Sequence, residues 1–453
     1  MSPLATQRQP AEVLEERFAE RRDPFTPDQA LIEASRCLYC FDAPCMVACP
    51  TSIDVPSFIR RIATDDAVGA AHKILDVNVL GASCARVCAT EELCEQACVL
   101  HAHEQPIAIG ALQRYATDAL VAHGEGIPYE AGPDTGKRVA VVGGGPAGLA
   151  AAAGLRQCGH SVTIFERQPE LGGLATYGII PLREPTGVIR WEVEQILRLG
   201  VEAACNTEVG VHISASQVLK EFDAVFLSVG SGRRVAGIAL ENADAPGVED
   251  ALEFIERIRV LPPAEVPVGE HVSVIGAGNT AMDACTIAAR LGAGSVTCVY
   301  RRTQAEMTGY PDEYHHCLTE GVSFRWLTQP VSVRTGPDGS VTGLECRLVQ
   351  LGPPGPDGRP VPELQPETFT LPTDHVLLAT GQEREPSLFE QFGLVVDGGR
   401  PVVRDLFRTS DSRVFAGGDA VLAGKELAVV DAVAQGRDAA LAIDSFLGAR
   451  KAG

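Results

Sequence analysis

The chain has 453 residues, 45% of them apolar and 21% charged, with a formal charge of −21 at pH 7. At roughly 100–200 residues per domain, that is room for about three domains with ordinary cores. So acidic a chain argues against nucleic acid and membrane surfaces as partners, because both call for basic faces. The opening stretch through Gln29 contains no apolar h-region, so no secretory signal is predicted and the expected location is cytoplasmic.

Fourteen cysteines follow, and eight of them fall between Cys37 and Cys98. The cytoplasm keeps thiols reduced, so disulfides are not expected. The first group is C-x2-C-x4-C-x3-C-P, at Cys37, Cys40, Cys45, Cys49 and Pro50. The second is C-x3-C-x5-C-x3-C, at Cys84, Cys88, Cys94 and Cys98. Thiolates this closely spaced converge on soft metal centres. Structural zinc favours pairs of C-x2-C. Iron–sulfur clusters favour a tight triplet, then a fourth cysteine before proline that serves the other cluster. The closing C-x3-C-P has that second form, although the x4 spacer departs from the ferredoxin pattern. Two [4Fe–4S] clusters are the preferred reading, with zinc the alternative. Residues 56–75 carry apolar side chains at helical spacing, which predicts a helical cluster-binding domain over residues 1–130. The other six cysteines, Cys158, Cys205, Cys285, Cys298, Cys317 and Cys346, read as small buried apolar residues.

A β-branched strand, Val139–Val142, then runs into Gly143-x-Gly145-x-x-Gly148 and an alanine-rich helix. A second strand, Val162–Phe165, ends in Glu166. The glycines make the tight turn and let backbone approach a pyrophosphate, which the helix N-terminus faces. Glu166 would accept from ribose hydroxyls. The apolar run from Val139 to Leu155, nearly long enough to suggest a membrane span, is this strand and helix.

The pattern repeats at Gly276, Gly278 and Ala281, but the second strand here ends in Tyr300-Arg301-Arg302. Arginine in place of an acid fits the 2′-phosphate of NADP. The competing reading puts one or both arginines on a solvated face. One unit with Glu and one with Arg suggest one FAD and one nicotinamide nucleotide. A third strand, Arg413–Ala416, leads into Gly417-Gly418-Asp419, and a helix follows from about Leu427. Asp419 would bond the flavin's ribityl or phosphate region, or else serve as an N-cap. Ala224–Arg234 and Val376–Pro386 read as crossovers out of and back into the FAD domain. That places the FAD domain at 131–230 and 381–453, with an NAD(P) domain inserted at 231–380. Residues 352–367 are Pro/Gly-rich and read as a surface hairpin loop, and 261–270 as a linker.

The predicted fold is thus α/β with an all-α N-terminal domain: a helical two-cluster domain, then two Rossmann-like nucleotide-binding domains. With the segments "RCLYCFDAPCMVACPTSIDVPSFI", "LGASCARVCATEELCEQACVL", "PIAIGALQRYATD", "LGGLATYGIIPLR", "GAGNTAMDAC", "VYRRTQAEM" and "VFAGGD", the chain resembles the electron-input half of dihydropyrimidine dehydrogenase. That module is shared with the small subunit of bacterial glutamate synthase, and the resemblance runs from about Glu33 to Phe446. In length and content the chain is most similar to the separate FAD- and NAD(P)-binding subunit of the bacterial enzyme.

The resemblance implies interleaved ligation. Cys37, Cys40, Cys45 and Cys98 would hold one cluster; Cys49, Cys88, Cys94 and Gln113 would hold the other, leaving Cys84 without a ligand role. A glutamine ligand is the mark of the pyrimidine branch, since the glutamate synthase relatives have glutamate there. Implied FAD contacts are Gly143, Gly145, Pro146, Ala147, Gly148, Glu166, Arg167, Gly173, Leu174, Arg183, Gly418 and Asp419. Implied nucleotide contacts are Ala277, Gly278, Asn279, Thr280, Arg301, Arg302 and Gly381. Thr308 stands where the animal enzyme has a further arginine, so the choice between NADH and NADPH stays open.

Hydride would pass from NAD(P)H to FAD and electrons singly to the clusters, a sequence that calls for no general acid, and none is assigned. In the resembled enzymes pyrimidine reduction takes place at FMN in a separate barrel. With the sequence ending at Gly453, that barrel is expected from an FMN-containing partner subunit in a hetero-oligomer. The rival expectations are a glutamate synthase small subunit, a non-catalytic assembly subunit with structural clusters, and a free-standing ferredoxin–NADP-type reductase.

Overall fold

The computed structural model describes residues 4, 9–103, 105–232, 234–235, 239–355, 358–383, 386–421 and 428–449. The chain divides into two compact units. One comprises Met1–Glu20, Tyr177–Leu182 and Arg233–Glu383; the other comprises Arg21–Thr176, Arg183–Gly232 and Arg384–Gly453.

The second of these begins with short helices around the cysteines. Helix Pro27–Ser35 starts in a capping box, Thr26 with Gln29, followed by Pro27 in the first turn, a combination that satisfies orphan N–H groups and fixes the entry angle. The stretch with apolar residues at helical spacing forms two helices, Val55–Ala63 and Ala67–Leu75. Asp65 breaks them at φ +62°, and Asp66 caps the second by accepting from Gly69 N. Their apolar faces, including Phe58, Ile59, Ile62, Ile74 and Leu75, join Leu112, Ala116 and Leu120 of helix Ile109–Ala122 in one core. Cys37, Cys45, Cys49, Cys94 and Cys98 pack against that core, so the thiols are carried on its surface and not on a free loop.

The same unit holds a five-stranded sheet ordered Val414–Ala416, Ala224–Leu227, Arg138–Val142, Ser161–Phe165, Glu202–Ala204, with every pairing parallel. Parallel strands buried on both faces explain the nearly unbroken apolar runs. Helix Pro146–Gln157 packs on the last helix, Val429–Ala449, through small residues. A Cβ on Gly436 would lie 2.0 Å from the Ala147 carbonyl oxygen. The expected strand at Arg413 begins at Val414, and Leu427, the expected helix start, lies outside the described residues.

The other unit repeats the design. Its five parallel strands run Val248–Asp250, His375–Leu378, His271–Ile275, Ser295–Val299, Ser323–Arg325. Both sheets therefore reverse strand order beside their central strand, the arrangement that opens a crevice at the strands' carboxyl ends. A three-stranded antiparallel sheet, Thr328–Thr335, Val341–Pro354 and Pro360–Leu371, completes it.

Two local expectations change. Residues 352–367 are mostly strand, with pairing extending to Pro354↔Pro360 across a register shift. Prolines are accommodated there because outer positions and bulges need not donate to the ladder. Residues 261–270 are not a free linker: Val266 and Val268 are buried in the core. Among the described residues no helix is long and apolar enough to cross a membrane.

Candidate cofactor and electron-transfer site

Cys37, Cys40, Cys45 and Cys98 line one recess together with Leu38, Pro44, Val55, Ile59, Ile107 and Ile109. Three of these thiols come from the first sequence group and one from the end of the second. Burial pushes the Cys45 thiol up to about 11, with the Cys98 and Cys37 sulfurs adding to the effect. Cys37 is also raised, by burial first and then by Cys40 and Cys98. The remaining thiols form a second neighbourhood. Cys88 is raised by a hydrogen bond with Cys84 and by burial, with Cys94 and Cys49 close enough to contribute. Among the described residues no three Cys, His, Asp or Glu groups close on a single ion; the four thiols are spaced around a recess. A soft, all-sulfur donor set on a dry core fits iron–sulfur chemistry, and loading it would displace thiol protons.

The loop geometry is enforced by residues that spacing does not reveal. Tyr39, between two thiols, holds φ +51°, a region most side chains avoid. The Arg60 guanidinium sits 4.7 Å above its ring. Gln113 is buried, and its Nε2 donates to Gly81 O at 2.7 Å, which turns its oxygen away from that carbonyl. Cys84 is buried, its sulfur 3.8 Å from Asn78 Oδ1. Of the six scattered cysteines, Cys285, Cys298, Cys317 and Cys346 are buried, but Cys158 and Cys205 are only half-buried, because they sit in turns after a helix and a strand.

Between this segment and the first sheet lies a group of buried carboxyls absent from the sequence reading. Ser83, Glu184 and Glu192 are fully buried. Glu192 Oε1 accepts from Ala82 N at 2.7 Å and Ser83 N at 3.2 Å, while Ser83 Oγ contacts both Glu184 and Glu192. One hydroxyl has one proton to give, so the second contact needs a protonated carboxyl. Burial, with the Glu184 charge behind it, pushes Glu192 up to about 8. Glu192 then donates to Ser83, and Ser83 donates to Glu184.

The folded chain therefore holds more protons than the unfolded one between the ordinary Glu value of 4.5 and about 8. Stability is lost as pH rises through that window. Glu192→Gln, a neutral mimic, is expected to gain on the native protein by up to about 1.4 kcal/mol per pH unit across it and to level off beyond. Urea unfolding at a series of pH values checks this; a pH-independent difference would contradict it.

The first glycine turn is built for close approach. Gly143 has φ +100°, and a Cβ there would lie 2.5 Å from Ser228 O. Ser228 Oγ donates to Gly143 O at 2.9 Å. A Cβ on Gly148 would lie 2.0 Å from Gly143 O, whereas one on Gly145 would find nothing nearer than Gly173 Cα at 3.8 Å. Gly145 thus borders open space at the N-terminus of helix Pro146–Gln157, which has no side-chain cap. Those free N–H groups are what a pyrophosphate requires. Glu166 is buried; its Oε2 accepts from Gly144 N and its Oε1 from Gln168 N, both at 2.8 Å.

Gly418, at φ +69°, comes from the far end of the chain to this helix start, where its Cβ would lie 3.2 Å from Ala147 Cβ. Asp419 follows in the short turn Gly418–Val421. Gly173 adjoins the loop, Arg167 and Leu174 are exposed, and Arg183 Nη2 reaches Val87 O at 3.3 Å, next to Cys88.

The second turn is a near copy. Gly276 has φ +136°, and its Cβ would lie 2.2 Å from Ala379 O. Gly278 begins helix Asn279–Arg290, again without a side-chain cap. Ala277 O accepts from Gly309 N at 2.9 Å, and Asn279 Oδ1 from Tyr310 N at 2.9 Å. Thr280 lies in the first helical turn, and Gly381, at φ +100°, has open space beside it. The two arginines part company: Arg301 is exposed, while Arg302 is buried and its Nε donates to Pro360 O at 3.0 Å.

Comparison with known proteins agrees with this construction. Residues 14–125 match the family described as dihydropyrimidine dehydrogenase domain II, 4Fe–4S cluster. Residues 137–436 match the pyridine nucleotide-disulphide oxidoreductase family. The glutamate synthase [NADPH] small chain of Escherichia coli is 34% identical over 97% of this chain and 96% of its own. The NAD-dependent dihydropyrimidine dehydrogenase subunit PreT of Salmonella typhimurium is 36% identical over 93% and 95%. Among solved structures, Mycobacterium tuberculosis FprA in complex with NADPH shares the fold over 70% of this chain and 86% of its own, at TM-score 0.58 and 20% identity.

A [4Fe–4S] segment joined to paired dinucleotide-binding sheets defines an NAD(P)H-dependent, FAD-binding iron–sulfur oxidoreductase that transfers electrons. Within that class, the chain belongs to the family that contains the glutamate synthase small chains and the PreT-type dihydropyrimidine dehydrogenase subunits.

Proposed function

We propose that the chain is the electron-input subunit of a dihydropyrimidine dehydrogenase, working in the cytoplasm with an FMN-containing partner that reduces uracil and thymine to their dihydro forms. Gln113 carries this reading. It is a buried neutral amide on helix Ile109–Ala122, at the position where the resemblance implies glutamine for the pyrimidine branch and glutamate for the glutamate synthase branch. The PreT similarity supports it. When bound, FAD supplies two-electron exchange with the nicotinamide and the clusters supply single-electron exchange.

The chain's own residues bind and orient. Cys37, Cys40, Cys45 and Cys98 hold one cluster, and Cys49, Cys88, Cys94 and Gln113 the other. Around Gly143–Gly148, backbone N–H groups take the FAD pyrophosphate and Glu166 takes the ribose, with Arg167, Gly173, Leu174, Arg183, Gly418 and Asp419 beside them. Ala277–Thr280, Arg301 and Gly381 hold the nicotinamide nucleotide, with Arg302 bracing the neighbouring strand through Pro360 O. The exposed Leu38, Phe41 and Val47 beside the first recess offer the partner an apolar landing surface.

The test is capture of the partner from native extract, followed by assay. The pair is expected to form dihydrouracil with NADH or NADPH, and the chain alone only to reduce artificial acceptors. Glutamate formation by the captured pair would move the chain to the glutamate synthase reading, which the 34% identity over nearly full length supports. Clusters that give no EPR signal on adding NAD(P)H would leave only a structural role for them.

A further inference from the structure

We propose that Arg359 is a specificity-determining residue that selects a nicotinamide nucleotide carrying a 2′-phosphate. This rests on reading the Gly276–Ala281 turn as the nicotinamide-nucleotide site. In such a βαβ unit the adenosine ribose lies at the carboxyl end of the second strand, here Ser295–Val299 followed by Tyr300, Arg301 and Arg302. Arg302 is committed to the hairpin through Pro360 O, which leaves Arg301 as the exposed cation of the pair. Thr308 adds no charge.

The hairpin between Val341–Pro354 and Pro360–Leu371 brings the second one. Arg359 Nη2 donates to Tyr300 Oη at 2.8 Å and to Glu306 O at 2.6 Å, and Tyr300 Oη donates to Glu306 O at 2.9 Å. Gly355 N donates to Arg359 O at 2.8 Å. The guanidinium is therefore anchored on Tyr300 Oη and on Glu306 O, in the segment that follows the second strand and Arg301. Two guanidinium groups from separate elements suit a dianionic phosphate, whereas a bare 2′-hydroxyl draws nothing comparable from them.

The experiment measures dissociation constants of adenosine 2′,5′-bisphosphate and 5′-AMP on the full-length holoprotein by calorimetry. The native protein is expected to prefer the bisphosphate. Arg359→Ala should reduce that preference about tenfold, as loss of a charge-assisted hydrogen bond implies. Arg359→Lys should restore part of it, and Tyr300→Phe, which removes the anchor and keeps the charge, should fall between. Arg301→Ala is the benchmark. If it lowers the preference while Arg359→Ala does not, the role of Arg359 is overturned and the nucleotide site stands. Equal weakening of both ligands by Arg359→Ala also overturns it, since the hairpin would then only shape the pocket. A native protein that binds neither ligand would sink the reading of the turn itself.

Discussion

Serine in place of Cys98 is expected to cost the protein one of two clusters, lowering bound iron from about eight to about four atoms per chain. Cys98 ends the second sequence group, yet its sulfur shares a recess with Cys37, Cys40 and Cys45 and helps to raise the Cys45 thiol. A hydroxyl is a poor substitute for thiolate at a soft centre. Cys84→Ser should keep all the iron, because Cys84 is buried beside Asn78 and adjoins Cys88 as a hydrogen-bonding neighbour. Flavin content and its bleaching by NAD(P)H should survive in both variants. Iron analysis and low-temperature EPR decide the matter. Loss of half the iron in both variants would mean that ligation follows the order of the sequence groups instead, since Cys84 and Cys98 both belong to the second group.

Alanine at Gly148 is expected to empty the flavin site. Its methyl would lie 2.0 Å from Gly143 O and 2.9 Å from Ser228 Oγ. Backbone cannot give way there, because Gly143 is itself wedged against Ser228 O at a positive φ. The helix must lift from the strand, at about 1–3 kcal/mol for overpacking of this kind. Taken up in the phosphate loop, the same strain corresponds to about ten- to hundredfold in FAD affinity. Gly145→Ala is the informative partner, since its methyl meets only Gly173 Cα at 3.8 Å. That variant should fold and melt like the native apoprotein and fail only where a phosphate must approach. Flavin retained after gel filtration, with melting curves with and without added FAD, separates the two. Equal flavin content in both variants and the native protein would count against the assignment of this turn.

Much of this was legible because it depends on local periodicity. Strand, glycine turn and helix at Arg138–Gln157 follow from β-branched residues, then a glycine at positive φ, Gly143, with Gly145 and Gly148 beside it, then alanines. The same grammar gives Gly276–Arg290, and four closely spaced thiols announce a soft centre whatever surrounds them. Legibility failed where the partner lies far along the chain. The hairpin at 352–367 looked like loop because its prolines and glycines are weak strand formers, but edge pairing tolerates them. Arg301 and Arg302 are indistinguishable by sequence; one is exposed and the other is spent on a carbonyl from a distant strand. Ser83 lies about a hundred residues from Glu184 and Glu192, and the three carry no motif.

By itself, then, the order of residues determined that this protein holds iron–sulfur thiols and two dinucleotide turns, because each of those needs only neighbours along the chain. Only the tertiary structure decided which thiols share a recess, which arginine faces solvent, and where the distant Gly418–Asp419 turn meets the helix at Ala147. Those are matters of packing between segments remote in sequence, where burial and hydrogen-bond satisfaction choose among partners that spacing leaves equivalent.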